Sequence, residues 1–223
     1  MKNFFLFVFF VVVFFFIYFF KSKTCITSET SNVKKEIVGN DLTKTFINLS
    51  SKKDFLLFLD SSQNISKTFF EVVKSNTNNL YTQKTDELYL LLSNQYYDSV
   101  YFSVKKDFPD ISKIFDEINF AIHNFNKQSH IKKNPVVNIL ISGFYNDIVV
   151  THDTINIGID YFLQLNNKYK PRDLPTYILK RYTPQFLIPT TLISYFSQFN
   201  LMDTNNESLL NEMIAFGKLY YVV

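Results

Sequence analysis

A chain of 223 residues, 47% hydrophobic and 18% aromatic, has room for one sizeable domain and an appendage. Its net charge of +3 is small and scattered, which argues against a nucleic-acid partner. The single cysteine, Cys25, excludes an intramolecular disulfide and a cysteine zinc site, and four separated glycines exclude a glycine-rich phosphate loop.

The chain opens with Met1-Lys2-Asn3 and then FFLFVFFVVVFFFIYFF, an unbroken apolar run from Phe4 to Phe20. As a helix rising ~1.5 Å per residue it is about 25 Å long, the low end of a bilayer span. It also exceeds the apolar core of roughly 7–15 residues in a cleavable signal peptide. Span and signal both direct the chain to a membrane. Lys21, Lys23, Lys34 and Lys35 follow the run and only Lys2 precedes it, which by the positive-inside tendency leaves the body on the cytoplasmic side. Cys25 offers another outcome, lipid attachment after cleavage, although Ser22-Lys23-Thr24 departs from the apolar and small residues of a lipoprotein signal.

Ile26 to Asp41 is polar and without sustained periodicity, and reads as a linker. The apolar residues from Leu42 to Leu59 cluster without a clean period, so that FLLFLD fits a strand or a buried helix. Ile65, Phe69, Val72 and Val73 follow helical spacing behind a Ser66 cap, with Asn76 to Asn79 as the terminator. A helix is predicted from Glu87 to Tyr97, apolar at Leu88, Leu91 and Leu92. Phe108-Pro109-Asp110 caps a third, in which Ile111, Ile114, Phe115, Ile118, Ile122 and Phe125 form one wide core-facing stripe.

After Pro135 the pattern changes. VVNILIS, Val136 to Ser142, is β-branched and bounded by Gly143, and Asp147 to Thr151 is a second short strand. Together they predict a hairpin looped at Gly143-Phe144-Tyr145-Asn146. NIGIDYFLQL follows, and then a stretch from Leu174 to Phe196 that holds or adjoins four of the six prolines and both arginines, Arg172 and Arg181. Within it Thr183 reads as a helix N-cap and Pro184 as the first helical residue. SLLNEMIAFGKLYYVV predicts a buried helix through Leu209, Leu210, Met213, Ile214 and Phe216-Gly217. The order is helices, a small sheet, then helices: an α+β, helix-dominant fold around a small hairpin or sheet. The domains are an anchor or signal at 1–25, a linker at 26–41 and a body at 42–223.

Sites of chemistry are sparse. His123, His130 and His152 do not form H-E-x-x-H, and the first two share a helix face only if a helix runs through Gln128-Ser129. No G-x-S-x-G elbow appears. Asp160 interrupts an apolar run; it either faces Arg181 as a buried pair or is a surface carboxylate at a helix start. No catalytic residue and no metal ligand is assigned.

Five blocks carry a resemblance. FPDISKIFDEI, NPVVNILISGF, NIGIDYFL, LPTYILKRYTPQFLIP and LLNEMIAFGKLYY occur in that order. They resemble the gliding-motility lipoprotein GldB family of Bacteroidetes, whose members look like Y-P-D, a strand to I-S-G-F, I-G-L-D-Y-Y-L-G, P-Y-I-x-R-R-M-T-P-E-Y-I-V-P and L-L-x-x-M-I-x-x-G-K-x-L-Y. The likeness runs from about Phe69 to the C-terminus. Gln164-Leu165 stands in place of the family glycine, Gln185 in place of the glutamate after proline, and members continue beyond the last block, so the body is expected to be C-terminally shortened. The resemblance implies an envelope protein of the gliding and associated secretion machinery, with the membrane and other apparatus proteins as partners and without a cofactor. It also implies a distantly zinc-peptidase-like layout whose ligand helix falls at Thr183 to Ile188, which has neither histidine nor acid. A non-enzymatic, membrane-anchored accessory protein is the leading expectation; a peptidase-like hydrolase and a ligand-binding envelope domain are the alternatives. Asp160, Arg181, Thr183, Pro184 and Gly217 are the structural or interaction candidates, and Cys25 the candidate lipid site.

Overall fold

The computed structural model describes residues 34–49, 51–73, 78–129, 132–171, 174–199 and 208–222. The Phe4–Phe20 run, Cys25, His130 and Arg172 lie outside the described residues. Among the described residues no helix is long and apolar enough to cross a membrane.

The sheet has four strands: β1 (Val38–Asp41), β2 (Val136–Leu140), β3 (Ile148–Val150) and β4 (Thr154–Gly158), in the order β1-β2-β4-β3. β1 and β4 both pair with β2 in parallel, and β3 pairs antiparallel with β4. Two sequence expectations are corrected here. The polar segment read as a linker up to Asp41 ends in a strand, held by Asn119, whose Oδ1 accepts from the amides of Glu36 (2.7 Å) and Ile37 (3.2 Å). The predicted hairpin between Val136–Ser142 and Asp147–Thr151 is replaced by a hairpin between β3 and β4. The cause is burial: β4 is buried along its whole length and β2 nearly so, and two such strands become neighbours in the middle of the sheet. The half-buried β3 is left to the edge.

Register is fixed by three asparagines on one face. Asn40, Asn138 and Asn156 stand opposite one another across β1, β2 and β4. Asn40 Nδ2 donates to Asn138 Oδ1 (2.9 Å) and Asn138 Nδ2 to Asn156 Oδ1 (2.7 Å). Asn156 Nδ2 then donates to Thr68 Oγ1 (3.2 Å). A slip of one residue would turn all three amides to the other face.

The helices follow the apolar pattern more closely. FLLFLD lies in α1 (Lys52–Ser61), whose N-cap Ser51 accepts from the Asp54 amide. The helix expected behind Ser66 is a single π-helical turn, Ile65–Phe69. Ser66 does not cap it; its hydroxyl donates back to the carbonyls of Leu59 (2.6 Å) and Ser62 (3.0 Å). Of the segment Asn76 to Asn79 expected to end that helix, Asn78 and Asn79 instead open α2 (Asn78–Leu92), and α3 (Tyr97–Asp107) follows where none was predicted. α4 (Ile111–Ser129) buries the predicted stripe at Ile111, Ile114, Ile118, Ile122 and Phe125. Asp110 holds its first turn, accepting from the amide (3.0 Å) and hydroxyl (2.6 Å) of Ser112.

Beyond the sheet come α5 (Thr176–Leu179), α6 (Pro184–Phe196) and α7 (Leu209–Val222). Thr183 occupies the N-cap of α6 with extended backbone and Pro184 opens the helix, but the Thr183 hydroxyl makes no capping bond. α6 lies against α4, β3 and β4, with Phe196 stacked on Phe125 at 4.3 Å between ring centroids. The last helix departs from expectation: α7 touches α4 and α6, yet Leu209 is 72% exposed, Met213 63% and Phe216 60%. Ten of the fourteen residues of α7 are apolar and they are spread around the helix, so sequence alone gives no single face to bury.

Candidate functional site

β2 and β4 run in parallel, so their carboxyl ends open on the same side of the sheet. Ligands of open α/β sheets bind in the crevice outside such ends. Here the chain leaving β2 passes through Ile141-Ser142-Gly143-Phe144, and the chain leaving β4 through a 3-10 turn, Ile159–Phe162.

Asp160 joins the two. It is fully buried, and its carboxylate accepts from the Ser142 amide at Oδ1 (2.8 Å) and the Phe144 amide at Oδ2 (2.6 Å). The Ser142 hydroxyl lies 3.2 and 3.3 Å from the two oxygens. Consecutive left-handed residues, Gly143 (φ 67°) and Phe144 (φ 59°), bend the loop so that its amides reach the carboxylate. Burial pushes the Asp160 carboxyl up to about 6, against the opposing pull of the Ser142 and Phe144 amides. Gly158, just before, is packed by backbone: a Cβ there would fall 2.1 Å from the Asn146 carbonyl oxygen.

Tyrosines close the outer side. Tyr182, in the turn before α6, donates from its hydroxyl to Asp147 Oδ2 (2.5 Å), and its ring meets those of Tyr161 (5.5 Å) and Phe162 (5.3 Å). Tyr161 in turn donates to the Phe144 carbonyl (2.7 Å). Burial, then the neighbouring carboxylates, pushes Tyr161 up to about 12 and Tyr182 higher still, so both are neutral hydrogen-bond donors near neutral pH. Asp107 Oδ2 accepts from the Gln164 amide (2.9 Å) and ties α3 to the same end. The cavity between Tyr161, Gln164, Tyr169, Leu179 and Tyr182 measures about 10 Å³, room for a single water.

Of the residues singled out from sequence, Asp160 lies at the centre of this site, but Arg181 is exposed and does not pair with it. Local amides satisfy the carboxylate, leaving no role for a guanidinium. Thr183 is buried, and its hydroxyl has no partner among the described residues. Pro184 supplies the start of α6, and Gly217 faces open space on α7. His123 approaches Glu36 and His152 approaches Gln198, each at 3.4 Å, so the histidines serve separate places. Among the described residues no three His, Cys, Asp or Glu side chains gather to hold a metal ion. Sequence reasoning missed Ser142, Asp147, Tyr161 and Tyr182; Ser142, Tyr161 and Tyr182 were signalled only by membership of the I-S-G-F, I-D-Y-F and R-Y-T-P blocks, and Asp147, outside those blocks, by nothing.

Fold and site together define a helix-dominant α+β domain whose sheet-end crevice is filled by its own carboxylate and tyrosines. The family described as gliding motility protein GldB matches residues 23–223, and the chain belongs to that family. Membership implies a role in gliding motility. No curated protein and no solved structure matches the chain.

Proposed function

We propose that this chain is a non-enzymatic, membrane-anchored accessory protein of the gliding motility apparatus and its associated secretion machinery. The observation that carries the reading is Asp160: the one fully buried carboxylate at the sheet end has its oxygens engaged by the Ser142 and Phe144 amides. An acid so committed positions loops and is not presented to a substrate. Ser142 is likewise fully buried, which keeps its hydroxyl from any substrate carbonyl. Zinc hydrolysis needs about three protein ligands and usually a general base, and Thr183 to Ile188 at the start of α6 brings neither imidazole nor carboxylate. The apolar Phe4–Phe20 run supports the anchor, and Cys25, inside the matched span, supports lipid attachment as the form it takes.

The test is complementation of a non-gliding deletion strain. The chain carrying Ser142→Ala, matched to wild type in amount, is expected to restore movement. Lost movement at normal protein level, together with a hydrolytic activity that the variant lacks, would establish the peptidase-like alternative instead. Cross-linking in intact cells is expected to join the tagged chain to envelope proteins of the apparatus, whereas a chain recovered alone counts against the accessory role.

A further inference from the structure

We propose that Asp160 is a proton-operated latch: charged, it holds the Ser142–Asn146 loop against the end of the sheet, and on taking up a proton it releases one of the loop amides. The geometry is that of a two-position device. Each carboxylate oxygen holds a different amide, Oδ1 that of Ser142 and Oδ2 that of Phe144, so a proton on either oxygen weakens a defined bond. The proton has an acceptor ready. The Ser142 hydroxyl lies within 3.3 Å of both oxygens and 3.1 Å from the Asn146 carbonyl. It donates to Asp160 when the acid is charged; by turning its hydrogen to Asn146 it accepts from the protonated acid.

Among the described residues no cation stabilises the charged form. β2 brings no ionisable side chain, and α6 brings only Tyr195, whose hydroxyl is bonded to the His152 carbonyl. α3 brings Tyr97, bonded to the Ile141 carbonyl and, through burial first and Asp160 second, held well above the ordinary phenol range. Tyr161 beside the acid is likewise raised, to about 12. Asp160 alone in this cluster therefore exchanges a proton in mildly acid solution, where burial has moved it to about 6. Release reaches further than the loop, because Asn146 Nδ2 donates to the Phe69 carbonyl (2.7 Å) and Tyr145 Oη to that of Phe70 (3.2 Å), at the π-helical turn.

The full chain in detergent micelles, carrying a ¹³C label at aspartate carboxyls, gives the test by nuclear magnetic resonance between about pH 4 and pH 8. The Asp160 carboxyl carbon and the Ser142 and Phe144 amides are expected to titrate together with a midpoint near 6. Measured against the intrinsic exchange rate at each pH, protection of one of those amides is expected to fall by about tenfold below the midpoint. Asp160→Asn should flatten both amide curves. A carbon that titrates in the ordinary carboxylate range, or amides that stay still while the carbon moves, overturns the latch. Should Asp160→Asn not fold, the co-titration of carbon and amides in the wild-type chain decides the matter by itself.

Discussion

At the scale of single residues, the buried acid gives the molecule a pH dependence of definite sign. Asp160 is raised from an ordinary carboxyl to about 6, so the folded chain binds the proton more readily than the unfolded one. Its contribution to stability is fully present below the unfolded carboxyl range and is lost as pH rises through about 6. Over that window the change amounts to roughly 2–3 kcal/mol. Calorimetry of wild type and Asp160→Asn is therefore expected to show wild type gaining on the variant as pH falls from neutral; a constant gap would refute the assignment. Two glycines make a contrasting pair. Gly158→Ala drives a Cβ into the Asn146 backbone at 2.1 Å and should cost about 1–3 kcal/mol or more. Gly217→Ala meets nothing within 4 Å inside a helix and should stabilise by about 0.5–1 kcal/mol. Urea unfolding of the two variants checks both signs. Asp160 was legible in the sequence as an acid breaking an apolar run, but its partners were not, because backbone amides donate from every residue and leave no mark in the letters.

At the scale of elements, the asparagine ladder is what distinguishes this sheet from a set of apolar strands. Asn138 is its middle rung, giving to Asn156 and receiving from Asn40. Asn138→Ala strands the amides on both sides, and a loss of about 1–3 kcal/mol is expected, measured against Asn40→Ala at the exposed end, which should cost less. Equal costs would mean that the ladder does not act as one chain of bonds. Long, strongly periodic elements were readable from sequence, α4 above all, since a helix with one apolar stripe has one way to pack. Short ones were not. β1 is four exposed residues whose pairing is set by a segment nearly a hundred positions later. The strand pairing is not legible because β2, β3 and β4 are all rich in β-branched residues, and letters alone do not say which of three such runs is flanked on both sides. α7 was expected to be buried for the same reason it is exposed in the fold: its apolar residues surround the axis, and only tertiary contacts choose a side.

At the scale of the whole molecule, family blocks scattered along the chain meet at one end of the sheet. The ISGF loop, the NIGIDYFL turn, the RYTP turn through Tyr182, and the helix end at Asp107 beside the FPD block all touch there. Order in the sequence was legible as a resemblance; convergence in space became visible only with the topology that makes β2 and β4 neighbours. Because the Phe4–Phe20 run is expected to stay in a bilayer, the intact chain should remain in the membrane pellet after alkaline or high-salt washing and leave it in detergent. Appearance of the intact chain in the wash would argue against the anchor.

The clasp at Glu36 and Ile37 also determines how the body bears load. Any pull arriving through the N-terminal segment reaches the fold where Asn119 grips both amides, and passes directly into β1. β1 lies parallel to β2 with its residues paired one to one, from Val38 opposite Val136 to Asp41 opposite Ile139. Traction along the strand therefore shears those ladder bonds and the Asn40–Asn138 amide contact together, where a transverse tug would unzip them one after another. Forced opening is governed by the rate of unfolding rather than by equilibrium stability. When the chain is pulled from its N-terminal side, the four residues of β1 are the coupling through which tension enters the domain, and the direction of pull decides how long that coupling holds.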